Sequence, residues 1–301
     1  TVRNMHDWNK MKKFKILIPV YNDWKSFDKL IIEINSVIAT IKKNIEFNCV
    51  VINDASTEQV PKINVPLYLS SIEIINMKKN KGHARCNAFG IKYILEKNEF
   101  DHLILMDGDG EDRPAEIRLL AEKALSENNI SVVAKRIKRS EGFIFKLLYQ
   151  IHKIITILFT GKNINFGNYS CLTKKDVKIL SNKASLWSSY SGTLKKNILL
   201  LNSINSERGS RYYGPSKMSL FKLIVHSFSM IAVFKYSVFL RSTFLLIAAS
   251  YFSYKFNFLV SVIQILLVIF SLIIYFVSLR GNKDELLKSF SNKDSSTTYT
   301  H

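Results

Sequence analysis

Asp107 and Asp109 stand one residue apart in the run Leu103-Ile104-Leu105-Met106-Asp107-Gly108-Asp109-Gly110-Glu111-Asp112-Arg113-Pro114, and of all the side chains in this chain they are the best disposed to do chemistry. Two carboxylates at that spacing make a seat for a divalent cation, which prefers hard oxygen ligands and can carry a phosphorylated substrate. Four apolar residues lead straight into the acids and a proline follows. The run therefore reads as a short strand buried on both faces, then an acidic loop, then the start of a helix. Acids placed there lie at the C-terminal end of a strand, where open α/β sheets bind ligands. An EF-hand is excluded: a loop counted from Asp107 has Asp112 where Gly is needed and Arg118 where Glu is needed. Gly108 and Gly110 lack a third glycine and follow the acid rather than the strand, and no GxxxxGK[ST] occurs. Neither a dinucleotide fingerprint nor a P-loop is present. Taken alone, the cluster also reads as a solvated acidic turn.

Polar loops recur at the ends of other short apolar runs. Residues 14–20 (FKILIPV) end in Tyr21-Asn22-Asp23, with Asp23 placed as an N-cap for a helix over residues 24–44. Residues 48–52 lead into Asn53-Asp54-Ala55-Ser56-Thr57, and residues 72–75 into Asn80-Lys81-Gly82-His83-Ala84-Arg85 and a helix to about residue 96. After the acidic strand come a helix over residues 114–126 and a strand over residues 130–134 that ends in Lys135-Arg136. Strand and helix alternate with short connections, which predicts an α/β domain with a mostly parallel sheet covered on both faces.

The net charge of +19 first raises nucleic acid as a partner, but no zinc-finger spacing, ribonucleoprotein aromatic signature or helix-turn-helix pattern accompanies it. Lysines gathered beside apolar segments fit an anionic membrane face and an anionic substrate. Cys49, Cys86 and Cys171 form no CxxC pair and read as thiols of a reducing compartment.

From about residue 219 to 279 the chain becomes strongly apolar and aromatic. Residues 217–236 are amphipathic and basic, and predict a juxtamembrane surface helix. Residues 238–254 and 256–279 read as two spans joined by a tight hairpin, the second meeting the roughly 20-residue length that crosses a bilayer. Lys217, Lys222, Lys235 and Arg241 before the hairpin, with Arg280 and Lys283 after it, outnumber Lys255 at its tip, which predicts cytoplasmic ends. Residues 143–160 fit either a core helix or a helix at a bilayer surface. Residues 1–13 are polar and basic with no apolar run of the kind a secretory signal carries. The expected layout is an extension (1–13), a catalytic domain (14–216), a surface helix (217–236), two transmembrane helices (237–280) and a cytoplasmic tail (281–301). Residues 291–301 are expected to be disordered.

In chain order, Ile18-Pro19-Val20-Tyr21-Asn22-Asp23, Val51-Ile52-Asn53-Asp54-Ala55-Ser56, Asn80-Lys81-Gly82 and Asp107-Gly108-Asp109 resemble the inverting GT-A glycosyltransferases of family 2. The resemblance continues through Phe166-Gly167-Asn168-Tyr169-Ser170-Cys171-Leu172 and Arg211-Tyr212-Tyr213-Gly214-Pro215-Ser216-Lys217-Met218. With the hairpin, the chain is similar to the polyprenyl-phosphate branch, which includes dolichyl-phosphate mannose synthase and the undecaprenyl-phosphate glucosyltransferases.

The resemblance implies a GT-A fold and an integral protein of the inner or plasma membrane. Transfer would move one sugar from a UDP- or GDP-sugar to a polyprenyl phosphate on the cytoplasmic face. Pro19, Tyr21 and Asp23 would line the nucleoside pocket, Asp54 would accept a hydrogen bond from the base, and Arg85 would assist at the nucleotide or serve as a surface helix residue. Asp107 and Asp109 would hold Mg²⁺ or Mn²⁺ against the donor pyrophosphate, with Asp109 the more direct ligand. Arg208, Arg211 and Lys217 would receive the lipid phosphate, or anchor the positive inner face, or both. An ionised phosphate needs positioning more than a general base. The chain departs from the family at Asn53 and Asn168, where acids are common, and this leaves no second acid for a base role. Glu111 and Asp112 are further candidates for sugar contact or metal support. A processive synthase would carry QxxRW, and no tryptophan follows Trp187. A non-catalytic nucleotide binder would tolerate loss of the acids, and both are kept. A homo-oligomer stays open.

Overall fold

The computed structural model describes residues 11–41, 44–126, 129–138, 143–215, 219–252 and 257–301. Its centre is an eight-stranded sheet in the order β7-β5-β6-β4-β1-β2-β3-β8. The strands are β1 (Lys12–Val20), β2 (Ile45–Asn53), β3 (Ser71–Met77), β4 (His102–Leu105), β5 (Val132–Lys138), β6 (Phe166–Thr173), β7 (Asn202–Glu207) and β8 (Lys293–Tyr299). β1 pairs in parallel with β2 and β4, β2 with β3, and β5 with β7, whereas β6 runs antiparallel to β4 and β5 and β8 antiparallel to β3. The sheet is thus more mixed than the alternation of elements predicts, because the helices before β6 and β8 lead each strand back antiparallel to its neighbours instead of across the sheet in a parallel crossover.

The apolar runs are continuous because both sheet faces are covered. Ile16, Ile18, Cys49, Val51, Ile104 and Met106 pack in one core, and Leu17, Val50, Ile52, Leu103 and Leu105 in the other. The first core is closed by α1 (Trp24–Ile38) through Phe27, Leu30 and Ile34, and by α3 (Glu116–Ser126) through Ile117 and Leu120. The second is closed by α2 (His83–Lys97) through Phe89, Ile91 and Ile94, by α5 (Lys174–Ser181) through Val177 and Leu180, and by α6 (Tyr190–Asn197) through Tyr190 and Leu194. Period-two alternation along each strand sends neighbouring side chains into opposite cores. Truncating one of these buried aliphatics to alanine would cost about 2–5 kcal/mol.

Four more helices lie to one side: α4 (Phe143–Thr160), α7 (Leu220–Ala232), α8 (Lys235–Phe252) and α9 (Asn257–Ser278). α4 is not a core helix. It buries Phe159 against α7 to α9 while Leu147, Ile151, Ile154 and Leu158 face outward. Arg241 of α8 donates from Nη1 to the Leu158 carbonyl at 3.1 Å, so a cation satisfies the C-terminal turn of α4. Among the described residues, α9 is the one helix that is by itself long and apolar enough to cross a membrane. α8 passes the same test only together with α7, from which it is bent by 87°.

The chain does not trail off after α9. α10 (Lys283–Leu287) and a 3-10 turn (Lys288–Asn292) return it to the sheet, where β8 pairs along β3. Trp187 Nε1 donates to Glu285 Oε2 at 2.7 Å, and Phe290 packs on Phe89 and Tyr93. The expectation of a disordered tail fails because the stretch, though polar, pairs through its backbone, which needs no apolar signature.

Candidate active site

Every strand end singled out in the sequence meets at one edge of the sheet. β1, β2, β3, β4, β5 and β7 present their C-terminal ends there, and antiparallel β6 presents its start, which brings Asn168 beside the acids. Asp107 leads the cluster. Its Oδ1 meets His83 Nε2 at 2.8 Å and Asn168 Nδ2 at 3.4 Å, and its backbone N–H donates to Asp112 Oδ2 at 3.0 Å. Burial pushes the Asp107 carboxyl up, but His83, Arg136 and Asn168 outweigh it and hold the group well below the usual carboxylate range. Asp109 accepts the Glu111 N–H at 3.0 Å and the Arg211 guanidinium at 2.8 Å, but these do not outweigh its surroundings. Burial and the neighbouring Asp107 raise it to about 6. Asp112 is raised by the same two causes to about 7, although Arg136 Nη2 lies 3.6 Å away.

A strap formed by the residues after β7 closes over these acids. Arg211 Nη1 donates to Asp109 Oδ2 at 2.8 Å and its Nη2 to Asp23 Oδ2, tying the acidic loop to the start of α1. Asp23 does occupy the N-cap position, yet its side chain serves Ser26 and Arg211 rather than a helix N–H. Arg208 pairs with Glu111, and the backbone N–H groups of Gly209 and Tyr212 donate to the carbonyls of Glu111 and Asp109. Gly110 permits this closeness. Its φ is +88°, and a Cβ there would meet the Tyr212 ring at 2.4 Å. The Tyr212 hydroxyl donates to Glu33 at 2.6 Å, and Lys29 lies over the ring at 4.5 Å.

On the other side of the edge, Asp54 accepts the backbone N–H groups of Lys81 and Gly82 at 2.7 and 2.8 Å. Its residue is only 3% exposed, and burial raises its pKa against these hydrogen bonds. Asp54 therefore holds the loop before α2 against the end of β2. Ala55 follows in a left-handed backbone, φ +56°, a conformation costing a side chain about 1–2 kcal/mol. Tyr21 is exposed at this rim, whereas Pro19 is buried in β1 beneath Gly108.

The structure thus brings together Asp23, Asp54, Asp107, Asp109, Arg208 and Arg211, with Pro19 and Tyr21 alongside. Arg85, in the first turn of α2, places its guanidinium 5.6 Å from the Trp187 ring of the 3-10 turn Ala184–Trp187 and donates from Nη1 to the Lys81 carbonyl at 3.4 Å. Arg208 and Arg211 do not stand open to an acceptor, since each is engaged by carboxylates of the acidic loop. Lys217 lies outside the described residues. Sequence reasoning passed over His83 as a partner of Asp107, although it directly follows the quoted Asn80-Lys81-Gly82. It also gave no role to His226 of α7, whose imidazole lies within electrostatic reach of His83, Asp107, Arg136 and His152 of α4.

Among the described residues no three His, Cys, Asp or Glu side chains form a ready metal cage. The two carboxylates nevertheless fit a cation that takes its remaining ligands from a diphosphate and water. Their crowding raises Asp109, and a cation, the Arg211 guanidinium, already sits on its Oδ2.

The site is thus an acidic loop at the carboxyl edge of an α/β sheet, roofed by a basic strap. Residues 15–187 match the family described as Glycosyl transferase family 2, and the chain belongs to that family: it is a glycosyltransferase. It is 23% identical over 241 residues to an uncharacterized glycosyltransferase of Synechocystis sp., covering 75% of this chain and 70% of that one. It is 26% identical over 174 residues to an undecaprenyl-phosphate 4-deoxy-4-formamido-L-arabinose transferase of Salmonella choleraesuis, covering 56% of this chain and 50% of that one. In fold it is similar to glucosyl-3-phosphoglycerate synthase of Mycobacterium tuberculosis, solved with Mn²⁺, UDP-glucose and phosphoglyceric acid. That likeness has a TM-score of 0.51 at 12% identity and covers 75% of this chain and 80% of that one.

Proposed function

We propose that this glycosyltransferase moves one sugar, with inversion, from a UDP- or GDP-sugar to a polyprenyl phosphate at the cytoplasmic membrane face. The observation that carries this reading is the juncture of catalytic domain and apolar helices: Met230 of α7, with Val233 and Phe234 just after it, packs in the same core as Trp187 and Tyr190, and α7 to α9 pack as one unit with α4. An acceptor with a charged head and an apolar tail fits that juncture. The undecaprenyl-phosphate relative and the Mn²⁺ and UDP-glucose of the structural neighbour support the acceptor and donor classes.

In this reading α8 and α9 form a transmembrane hairpin with both chain ends cytoplasmic, and the outward apolar face of α4 lies in the bilayer surface. Tyr21 and the loops held by Asp54 receive the nucleoside, and Asp109 with Asp107 holds Mg²⁺ or Mn²⁺. The metal, when bound, offsets the charge that develops on the nucleoside diphosphate leaving group. His83 and Asn168 keep Asp107 ionised and oriented. Arg211, released from Asp109, and Arg136 offer guanidinium groups to the acceptor phosphate, whose oxygen attacks the anomeric carbon.

The test is to incubate membranes containing the protein with radiolabelled nucleotide sugars and undecaprenyl phosphate, alongside an Asp109→Asn control. A mild-acid-labile glycolipid that needs Mg²⁺ or Mn²⁺ and vanishes in the control is expected. Label passing to a saccharide or soluble acceptor instead would refute the lipid assignment, and unchanged turnover in the control would remove Asp109 from the metal site.

A further inference from the structure

We infer that the segment following the last apolar helix belongs to the nucleotide pocket, with Asn292 and Ser295 as positioning residues for the two loops that flank Asp54. This rests on the nucleoside pocket proposed above.

Two hydrogen-bond chains carry it. In the first, Asn292 grips the loop after β3 at three points. Its carbonyl accepts Lys78 N–H at 2.8 Å, its Oδ1 accepts Lys79 N–H at 3.2 Å, and its Nδ2 donates to the Lys79 carbonyl at 2.9 Å. Lys78 Nζ adds a bond to the Ser291 carbonyl at 3.1 Å. Two residues further on, the same loop gives its Lys81 and Gly82 N–H groups to Asp54.

In the second chain, Ser295 Oγ accepts Asn76 Nδ2 at 3.0 Å, Asn76 Oδ1 accepts Asn53 Nδ2 at 2.8 Å, and Asn53 Oδ1 accepts Ser56 N–H at 3.0 Å. Ser56 Oγ then accepts Asn22 N–H at 2.9 Å, which extends the relay to the loop after β1. The loops after β1, β2 and β3 are therefore all tied to one short stretch of the chain's end.

Ordinary edge pairing does not require this. The β3–β8 register shifts between Asn76 and Met77, so that Asn76 faces Ser295 but Met77 faces Lys293. Such an irregularity re-aims side chains at a strand end, and here it sets Asn292 against the loop. The support is needed because Asn22 and Ala55 both hold left-handed backbones, φ +49° and +56°, which relax when unsupported. α10 and the turn Lys288–Asn292 are pinned to the domain by Trp187–Glu285 and by Phe290, so the tether from α9 ends on the nucleotide loops.

The experiment uses the full-length protein in detergent. UDP and GDP are titrated by calorimetry in the presence of Mn²⁺, and steady-state transfer is measured in parallel. Asn292→Ala is expected to weaken nucleotide binding about five- to tenfold, the loss of one or two hydrogen bonds' worth of preorganisation. Donor KM should rise with it, while kcat and the KM for undecaprenyl phosphate stay within about twofold. Ser295→Ala should act in the same direction, and Asn292→Asp, which keeps the acceptor for Lys79 N–H, should recover part of the loss. Thr297→Ala, on the same strand, should match the unaltered protein. Unchanged nucleotide binding in Asn292→Ala and Ser295→Ala, while Asp54→Asn loses it, would overturn the inference and leave the pocket standing. A fall in kcat and thermal stability together with a rise in lipid KM would reduce Asn292 to a structural residue and overturn it equally. Full nucleotide binding in Asp54→Asn would instead remove the pocket on which both rest.

Discussion

Replacing Arg211 with glutamine should make the donor-free protein bind Mn²⁺ more tightly while slowing transfer. Arg211 occupies Asp109 Oδ2 at 2.8 Å, with side chains only 13% and 19% exposed, so an incoming cation must displace a partly desolvated guanidinium. With charge centres about 4 Å apart and an effective dielectric constant near 20, the gross attraction is roughly 4 kcal/mol. Most of that is returned when the freed guanidinium regains water and keeps its second partner, Asp23, which leaves a net cost of about 1–2 kcal/mol. Relief of that cost is worth about tenfold in Mn²⁺ affinity. The assay is the free-Mn²⁺ electron paramagnetic resonance signal during titration of unaltered and Arg211→Gln protein without nucleotide. Under the acceptor role proposed for Arg211, transfer assays on the same samples should show a rise in the KM for undecaprenyl phosphate that exceeds the rise for the donor, because glutamine lacks the forked guanidinium. Equal or weaker Mn²⁺ binding in the variant would refute the displacement argument, and equal effects on both substrates would refute the acceptor role.

Three other outcomes follow from the packing. Gly110→Ala places a side chain at φ +88° and against Tyr212; it should destabilise the strap by at least about 1–2 kcal/mol and lower both the melting temperature and the transfer rate. His102 is buried, donates to Asn129 at 2.8 Å and stacks on Phe14, with no partner for Nδ1 among the described residues, and burial lowers its pKa below the ordinary imidazole value of 6.5. The unfolded chain then binds the extra proton first, so this contribution to stability is whole above about pH 6.5 and is lost as pH falls from there through the depressed folded value. The melting temperature should therefore drop more between pH 7.5 and 5.5 in the unaltered protein than in His102→Gln. Truncation after Phe234 removes Glu285, Phe290 and β8 along with the apolar helices and should yield aggregated protein by gel filtration, whereas joining Phe234 to Arg280 by a short flexible linker should preserve Mn²⁺-dependent nucleotide binding.

The parts of this fold legible in the sequence are those whose burial forces a side-chain pattern. β1, β2 and β4 could be read because each strand feeds two cores, so Ile16, Leu17 and Ile18 must all be apolar. β7 and β8 could not. In β7 only Ile204 and Ser206 are buried, and β8 exposes nearly all its side chains, so backbone pairing alone places them. The same division runs through the site. The acids declare themselves by type and by their place after a buried run. Their partners do not, since Arg211 meets Asp109 across 102 positions and Arg208 meets Glu111 across 97. Arg85 was not placed by its position alone, because a first-turn helix residue can face either the ligand edge or a neighbouring turn, and here its guanidinium lies between the Lys81 carbonyl and the Trp187 ring.

Because β8 completes the sheet only after α9, the apolar helices are an insertion between β7 and β8 rather than an appendage at the chain's end. A helix pair held at both of its ends by one sheet has less freedom to swing than a pair tethered at one end, since each added tether removes chain entropy from the detached arrangements. The two tethers also finish at different parts of the site. The incoming one leaves β7 through the strap that carries Arg211 onto Asp109, and the outgoing one ends at Asn292 on the loop that holds Asp54. The position of the apolar helices is thus linked on one side to the acidic loop and on the other to the loops beside Asp54. Under the proposed function, in which a nucleotide donor meets a lipid phosphate, those links would hold the two half-sites in register.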